Sequence, residues 1–92
     1  MSDTPELLLR QRAAFGRRLR ELRKSAGLTQ EDVAFSAGTD RSYLVEVEKA
    51  QHSPGLDLLL RLALALGVAP RDLFDVAELS EAPSPGPGTA DQ

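Results

Sequence analysis

Apolar residues Leu8, Phe15, Leu19, Leu22 and Ala26 follow one another at steps of seven, four, three and four positions, which keeps them on one side of a helix. Thr4-Pro5-Glu6 supplies a start signal: a capping hydroxyl, a proline at the first helical position and an acid near the positive end of the helix dipole. Arg10, Arg17, Arg18, Arg20 and Arg23 project mostly elsewhere. Gly16 lies inside the run and costs about 1 kcal/mol relative to alanine in a helix interior, so it marks a candidate break. Gly27 is the expected stop.

Thr29-Gln30-Glu31-Asp32 predicts a second N-terminus, with Thr29 as cap and Asp32 as a weaker substitute for the Glu or Gln of a capping box. Val33, Ala34 and Ala37 give this short helix its buried side, and Gly38 ends it. After Thr39, Asp40 caps a third helix with Leu44 and Val47 inward. Ser53-Pro54 marks a boundary, Leu56 to Leu66 form a leucine-rich fourth helix stopped at Gly67, and Pro70 opens a fifth with Leu73, Phe74 and Val76 or Ala77 inward. No alternating run of β-branched residues is present, so the expected fold is all-α with five helices. Residues 1–14 read as an N-terminal helical extension, 15–78 as the domain, and 79–92 as a disordered tail rich in proline and glycine.

A chain of 92 residues supports one hydrophobic core. It has no cysteine and only His52, which excludes a disulfide framework, a thiolate metal site, a zinc site and a Ser/His/Asp relay. No enzyme activity, cofactor or metal is therefore expected. His52 itself reads as an exposed loop residue. With no uncharged apolar stretch of membrane-spanning length and no basic leader, the chain is expected to be soluble and cytoplasmic, nucleoid-associated when bound to DNA. Its net charge of −3 conceals a split. Between Arg10 and His52 nine Lys or Arg face six Asp or Glu, a balance of +3 that leaves −6 on the remainder. That segregation suits one half facing a polyanion, although a solvated amphipathic helix gives the same pattern.

Two short helices joined at Gly38, with small Ala34 and Ala37 where they approach, describe a helix-turn-helix over about 30–49. Such a unit leaves the outer side of its second helix open to enter a major groove about 12 Å wide. The run Phe15-Gly16-Arg17-Arg18-Leu19-Arg20-Glu21-Leu22-Arg23-Lys24, then Gly27 to Ala34, Ala37-Gly38, Arg41-Ser42-Tyr43-Leu44, Val47-Glu48-Lys49, Pro54, Leu62-Ala63, Leu66-Gly67-Val68 and Leu73-Phe74 closely resembles the lambda-repressor-like, Cro/C1-type (XRE) helix-turn-helix family. Arg41-Ser42-Tyr43 also looks like the controller proteins of restriction-modification systems.

The resemblance implies a DNA-binding domain that acts as a transcriptional regulator, usually as a homodimer on an inverted repeat. It places Arg41, Ser42, Val45 and Glu46 against base edges, and Arg17, Thr29, Gln30, Tyr43 and Lys49 against phosphates. Glu46 has two readings of equal weight: acceptor from a cytosine amino group, or partner in an ion pair that aims Arg41 or Lys49. Glu48 is implied as a scaffold residue paired with an arginine of the first helix. The chain departs from the family at Ala50, where glycine is usual, so the third helix either ends differently or accepts backbone strain. Val45 replaces a small polar residue and can meet a thymine methyl. Phe35, Leu58 and Leu64 are apolar where polar residues are usual, and call for a cover: the Leu7-Leu8-Leu9 extension, a second subunit or another protein partner. An antitoxin that binds DNA and also holds a toxin chain is the alternative function.

Overall fold

The computed structural model describes residues 5–80, and among them it contains four α-helices and no strand: α1 Glu6–Ser25, α2 Gln30–Ala37, α3 Arg41–Glu48 and α4 Leu56–Leu66. Two short 3-10 turns follow, Pro70–Phe74 and Ala77–Leu79. The all-α expectation holds, but the fifth α-helix does not form. Asp75 leaves the helical region at φ −85° and ψ 70°, and Val76 is extended at φ −139° and ψ 155°. The first turn therefore cannot hand a hydrogen-bond ladder to the second. Thr4 and residues 81–92 of the expected 79–92 tail lie outside the described residues, while Leu79 at its start ends the second 3-10 turn and packs partly buried against the core.

Helix α1 passes through Gly16 unbroken. Gly16 is buried where α1 crosses the end of α3, and a Cβ built there would collide with the Glu48 carbonyl. The residue that weakens the helix in isolation thus allows the helix pair to close. Pro5 occupies the cap rather than the first helical position, and Glu6 begins the helix.

The core gathers Phe15 and Leu19 of α1, Val33, Ala34 and Ala37 of α2, Leu44 and Val47 of α3, Leu62, Ala63 and Leu66 of α4, and Leu73. Three members of the expected α1 stripe are not in it, and of these Leu22 packs partly buried against it. Ala26 falls in the turn beyond the helix, and Leu8 remains 42% exposed at the rim of an open apolar groove with Phe15, Pro54, Phe74 and Leu79. Phe74 is also largely outside the core, its ring stacked on Phe15 at 5.4 Å between centroids. Among the surplus apolar residues, Leu58 packs partly buried against the core. Phe35 and Leu64 stay 87% and 81% exposed, so the Leu7-Leu8-Leu9 segment does not cover them.

All four helices end alike, with paired 6→1 and 5→2 backbone hydrogen bonds that satisfy the terminal carbonyls. Gly27, Gly38 and Gly67 provide the left-handed residue for α1, α2 and α4. At the end of α3 the same conformation falls on Ala50, at φ 64°, with Ala50 N–H donating to Val47 O and Gln51 N–H to Glu46 O. Of the two outcomes expected for the missing glycine, the chain has taken the strained one.

Candidate nucleic-acid interface

The α2–turn–α3 unit is fixed locally by its two caps. Thr29 Oγ1 accepts from Asp32 N–H at 3.0 Å while the Asp32 carboxylate accepts from Thr29 N–H at 2.9 Å, a complete capping box in spite of the shorter acid. Asp40 Oδ1 accepts from Tyr43 N–H at 2.9 Å and from Ser42 Oγ at 2.8 Å. These bonds favour the charged carboxylates and lower both pKa values, for Asp32 chiefly through the Thr29 backbone and for Asp40 chiefly through the Tyr43 backbone. Gly38 closes α2 at φ 73°, so α3 starts after only Thr39 and Asp40. From α4, Arg61 Nε donates to the Ala37 carbonyl at 2.8 Å and ties down the end of α2.

A buried ionic junction joins three helices. Arg23 of α1 grips Glu48 of α3 with Nε–Oε2 at 2.7 Å and Nη2–Oε1 at 3.1 Å, the two side chains being 9% and 4% exposed. Arg23 Nη1 also donates to Leu28 O at 3.1 Å, and Gln30 Nε2 of α2 donates to Glu48 Oε1 at 3.1 Å. The Arg23 expected to project away from the core is thus the cation that Glu48 requires. A carboxylate buried this deeply needs a two-pronged partner, which arginine supplies. Glu48 is the scaffold residue that the resemblance implied.

With Leu44, Val47 and Glu48 turned inward, α3 exposes Arg41 and Ser42 and half-exposes Val45 and Glu46 on its other side. The residues expected at base edges therefore share one outward surface. Ser42 already donates its hydroxyl proton to Asp40, leaving its oxygen lone pairs for an outside donor. Glu46 pairs with neither Arg41 nor Lys49. Its Oε1 lies 2.9 Å from Nε2 of His52, whose ring stacks on Tyr43 at 5.2 Å between centroids. His52 is exposed as expected but engaged, a contact that depends on the turn after α3 bringing the loop back along that helix.

Among the residues expected at phosphates, Thr29 and Gln30 line an open polar recess with Arg41. Sequence reasoning missed Arg20, which lines the same recess from α1; only the tertiary arrangement of the helices brings it there. Lys49 is exposed just past α3. Arg17 instead reaches Glu78 at 3.2 Å in an exposed ion pair, and Arg18 Nε donates to Asp72 O at 2.9 Å. Among the described residues no group of three or more His, Cys, Asp or Glu side chains gathers as metal ligands, and no helix is long and apolar enough to cross a membrane.

The family model described as Helix-turn-helix matches residues 19–73, more than half of the chain. The chain is similar to the control protein C.BamHI of Bacillus amyloliquefaciens, 35% identical over 65 residues that cover 70% of this chain and 80% of that protein. Among solved structures it resembles the restriction-modification controller protein C.AhdI from Aeromonas hydrophila, with a TM-score of 0.70 and 48% identity, covering 72% of this chain and 96% of that one. It also resembles the clp gene regulator ClgR of Corynebacterium glutamicum, with a TM-score of 0.65 and 30% identity over 76% of this chain and 86% of that one. The matched span begins inside α1 and ends at Leu73, so it takes in the capped α2–turn–α3 unit, the buried Arg23–Glu48 junction and the strained end of α3. The chain belongs to the Cro/C1-type (XRE) helix-turn-helix family of DNA-binding transcriptional regulators.

Proposed function

We propose that this protein binds double-stranded DNA sequence-specifically as a homodimer on an inverted-repeat operator, with α3 of each subunit in successive major grooves roughly 34–36 Å apart. The observation that carries the reading is the surface of α3 itself: Arg41, Ser42, Val45 and Glu46 face away from its buried side, on a helix held rigidly by the Asp40 cap and the Arg23–Glu48 junction. Arg41 pairs in two-pronged fashion with guanine O6 and N7, Ser42 accepts from a neighbouring base, Val45 meets a thymine methyl and Glu46 accepts from a cytosine amino group. Thr29, Gln30, Tyr43 and Lys49 contact phosphates, the first two beside the N–H groups at the start of α2. Arg17 joins them by exchanging its exposed pairing with Glu78 for a phosphate. Of the surplus apolar residues, Phe35 and Leu64 remain exposed and provide apolar surface for a second subunit or another protein partner to cover. The similarity to two controller proteins makes a restriction-modification operon the first regulatory setting to test, in the cytoplasm and at the nucleoid.

Selection of bound sequences from random duplex DNA tests the reading, with the enriched motif compared with the DNA upstream of the protein's own gene. A two-fold symmetric motif found there supports it; recovery of no motif overturns it. Arg41→Ala should relax preference at one position of each half-site, a loss of about 1–3 kcal/mol for the favoured base, while Lys49→Ala weakens all duplexes alike. Binding titrations over an operator panel distinguish these outcomes, and identical effects of the two variants would disprove the assigned roles. An antitoxin role predicts a second chain co-purifying with the protein.

A further inference from the structure

We infer that His52, outside the recognition helix, is a positioning residue for base reading: its Nε2 lies 2.9 Å from Oε1 of the Glu46 carboxylate and confines it, and its ring is itself held by a stack on Tyr43. The inference rests on the proposed docking of α3 in the major groove and adds to it a determinant of base preference.

A glutamate that reads cytosine faces two difficulties. Its side chain has three rotatable bonds, and immobilising it on binding opposes association. Its negative charge also approaches a duplex lined with phosphates. The His52–Glu46 contact answers the first. The 2.9 Å contact between Nε2 and Oε1 restricts the side-chain torsions before DNA arrives, while Oε2 stays available to accept from a cytosine amino group.

The stack on Tyr43 gives the pair a fixed base. Tyr43 and Glu46 are three residues apart on α3, so the ring and the carboxylate are neighbours on one helix surface, and His52 bridges them from the following loop. That loop is directed by the left-handed Ala50 and by the Gln51 N–H bond to Glu46 O at 2.8 Å, which folds the chain back onto the last turn of α3. Glu46 and His52 side chains are 44% and 49% exposed, open enough for a base edge to reach the carboxylate without displacing the imidazole.

The test uses the full chain and the duplex motif selected by the wild-type protein. Binding is measured on duplexes carrying each of the four base pairs at every half-site position, for wild type, Glu46→Ala, His52→Ala, His52→Gln and the Glu46→Ala/His52→Ala double variant. Glu46→Ala should flatten preference for cytosine at one position from about tenfold or more to below about threefold. His52→Ala should flatten the same position and leave the others unchanged, with no further loss in the double variant. His52→Gln, which retains a donor, should restore part of the preference, a rescue that a merely structural role would not give. The inference is overturned if His52→Ala keeps the full cytosine preference, if it weakens all positions equally, or if Glu46→Ala alters none. In each of those cases a symmetric wild-type motif leaves the regulator reading standing; absence of any selected motif removes both.

Discussion

Replacing Glu48 by leucine should be among the most damaging single changes in this protein. The substitution leaves the Arg23 guanidinium, whose side chain is 9% exposed, with the Leu28 carbonyl as its remaining partner, and it also strips Gln30 Nε2 of its acceptor. Removing one member of a buried ion pair costs about 3–5 kcal/mol because the other charge stays desolvated and unpaired. For a domain of this size each 1 kcal/mol shifts the melting temperature by about 4–8 °C, so Glu48→Leu should lower it by roughly 12–40 °C. Arg23→Met should act similarly. The double variant removes both charges and replaces them with apolar groups, so it should be much more stable than the sum of the single losses implies, with a coupling energy of about 2 kcal/mol or more. Urea and thermal unfolding followed by circular dichroism give all terms of the cycle. A loss below about 1 kcal/mol for Glu48→Leu, or strict additivity in the double variant, would refute the view that this junction pins α1 to α3.

Ala50→Gly should stabilise the protein by about 0.5–1 kcal/mol, because relief of about 1–2 kcal/mol of left-handed strain exceeds the added entropy of the unfolded chain; an unchanged or lower melting temperature would count against strain at φ 64°. Gly16→Ala should have the opposite effect and cost about 1–3 kcal/mol, since the new methyl meets the Glu48 carbonyl although alanine is the better helix former; denaturant midpoints decide the sign. Acid should loosen the α2–α3 unit through its caps. Asp32 and Asp40 titrate below their ordinary value when folded, so their contributions are complete above about pH 5 and disappear as pH falls through the lowered values. Stability measured between pH 7 and pH 2 should therefore fall less steeply in an Asp32→Ala/Asp40→Ala variant than in the wild type; an unchanged acid slope would contradict the capping account.

Local chemistry made much of this protein legible in one dimension. The Thr29 and Asp40 caps and the Gly27, Gly38 and Gly67 stops act over three to six residues. Val33, Ala34, Ala37, Leu44 and Val47 follow the helical period, so both helices of the reading unit and their buried sides could be placed before any coordinates. The same reasoning failed at Pro70–Leu79, where one turn of apolar spacing is too short to distinguish a helix from a 3-10 turn bent away at Asp75.

The sequence by itself determined the four α-helices, the glycine stops of α1, α2 and α4 and which side of α3 remains outward, because backbone caps, left-handed stops and apolar periodicity are short-range. Tertiary structure alone decided that Arg23 turns inward to Glu48, that Gly16 serves a helix crossing, that Arg20 joins the recess at α2, and that Glu46 meets His52. A charged or small side chain on a helix has the same local preferences whether water or another helix lies opposite, and only the packing of the helices supplies its partner.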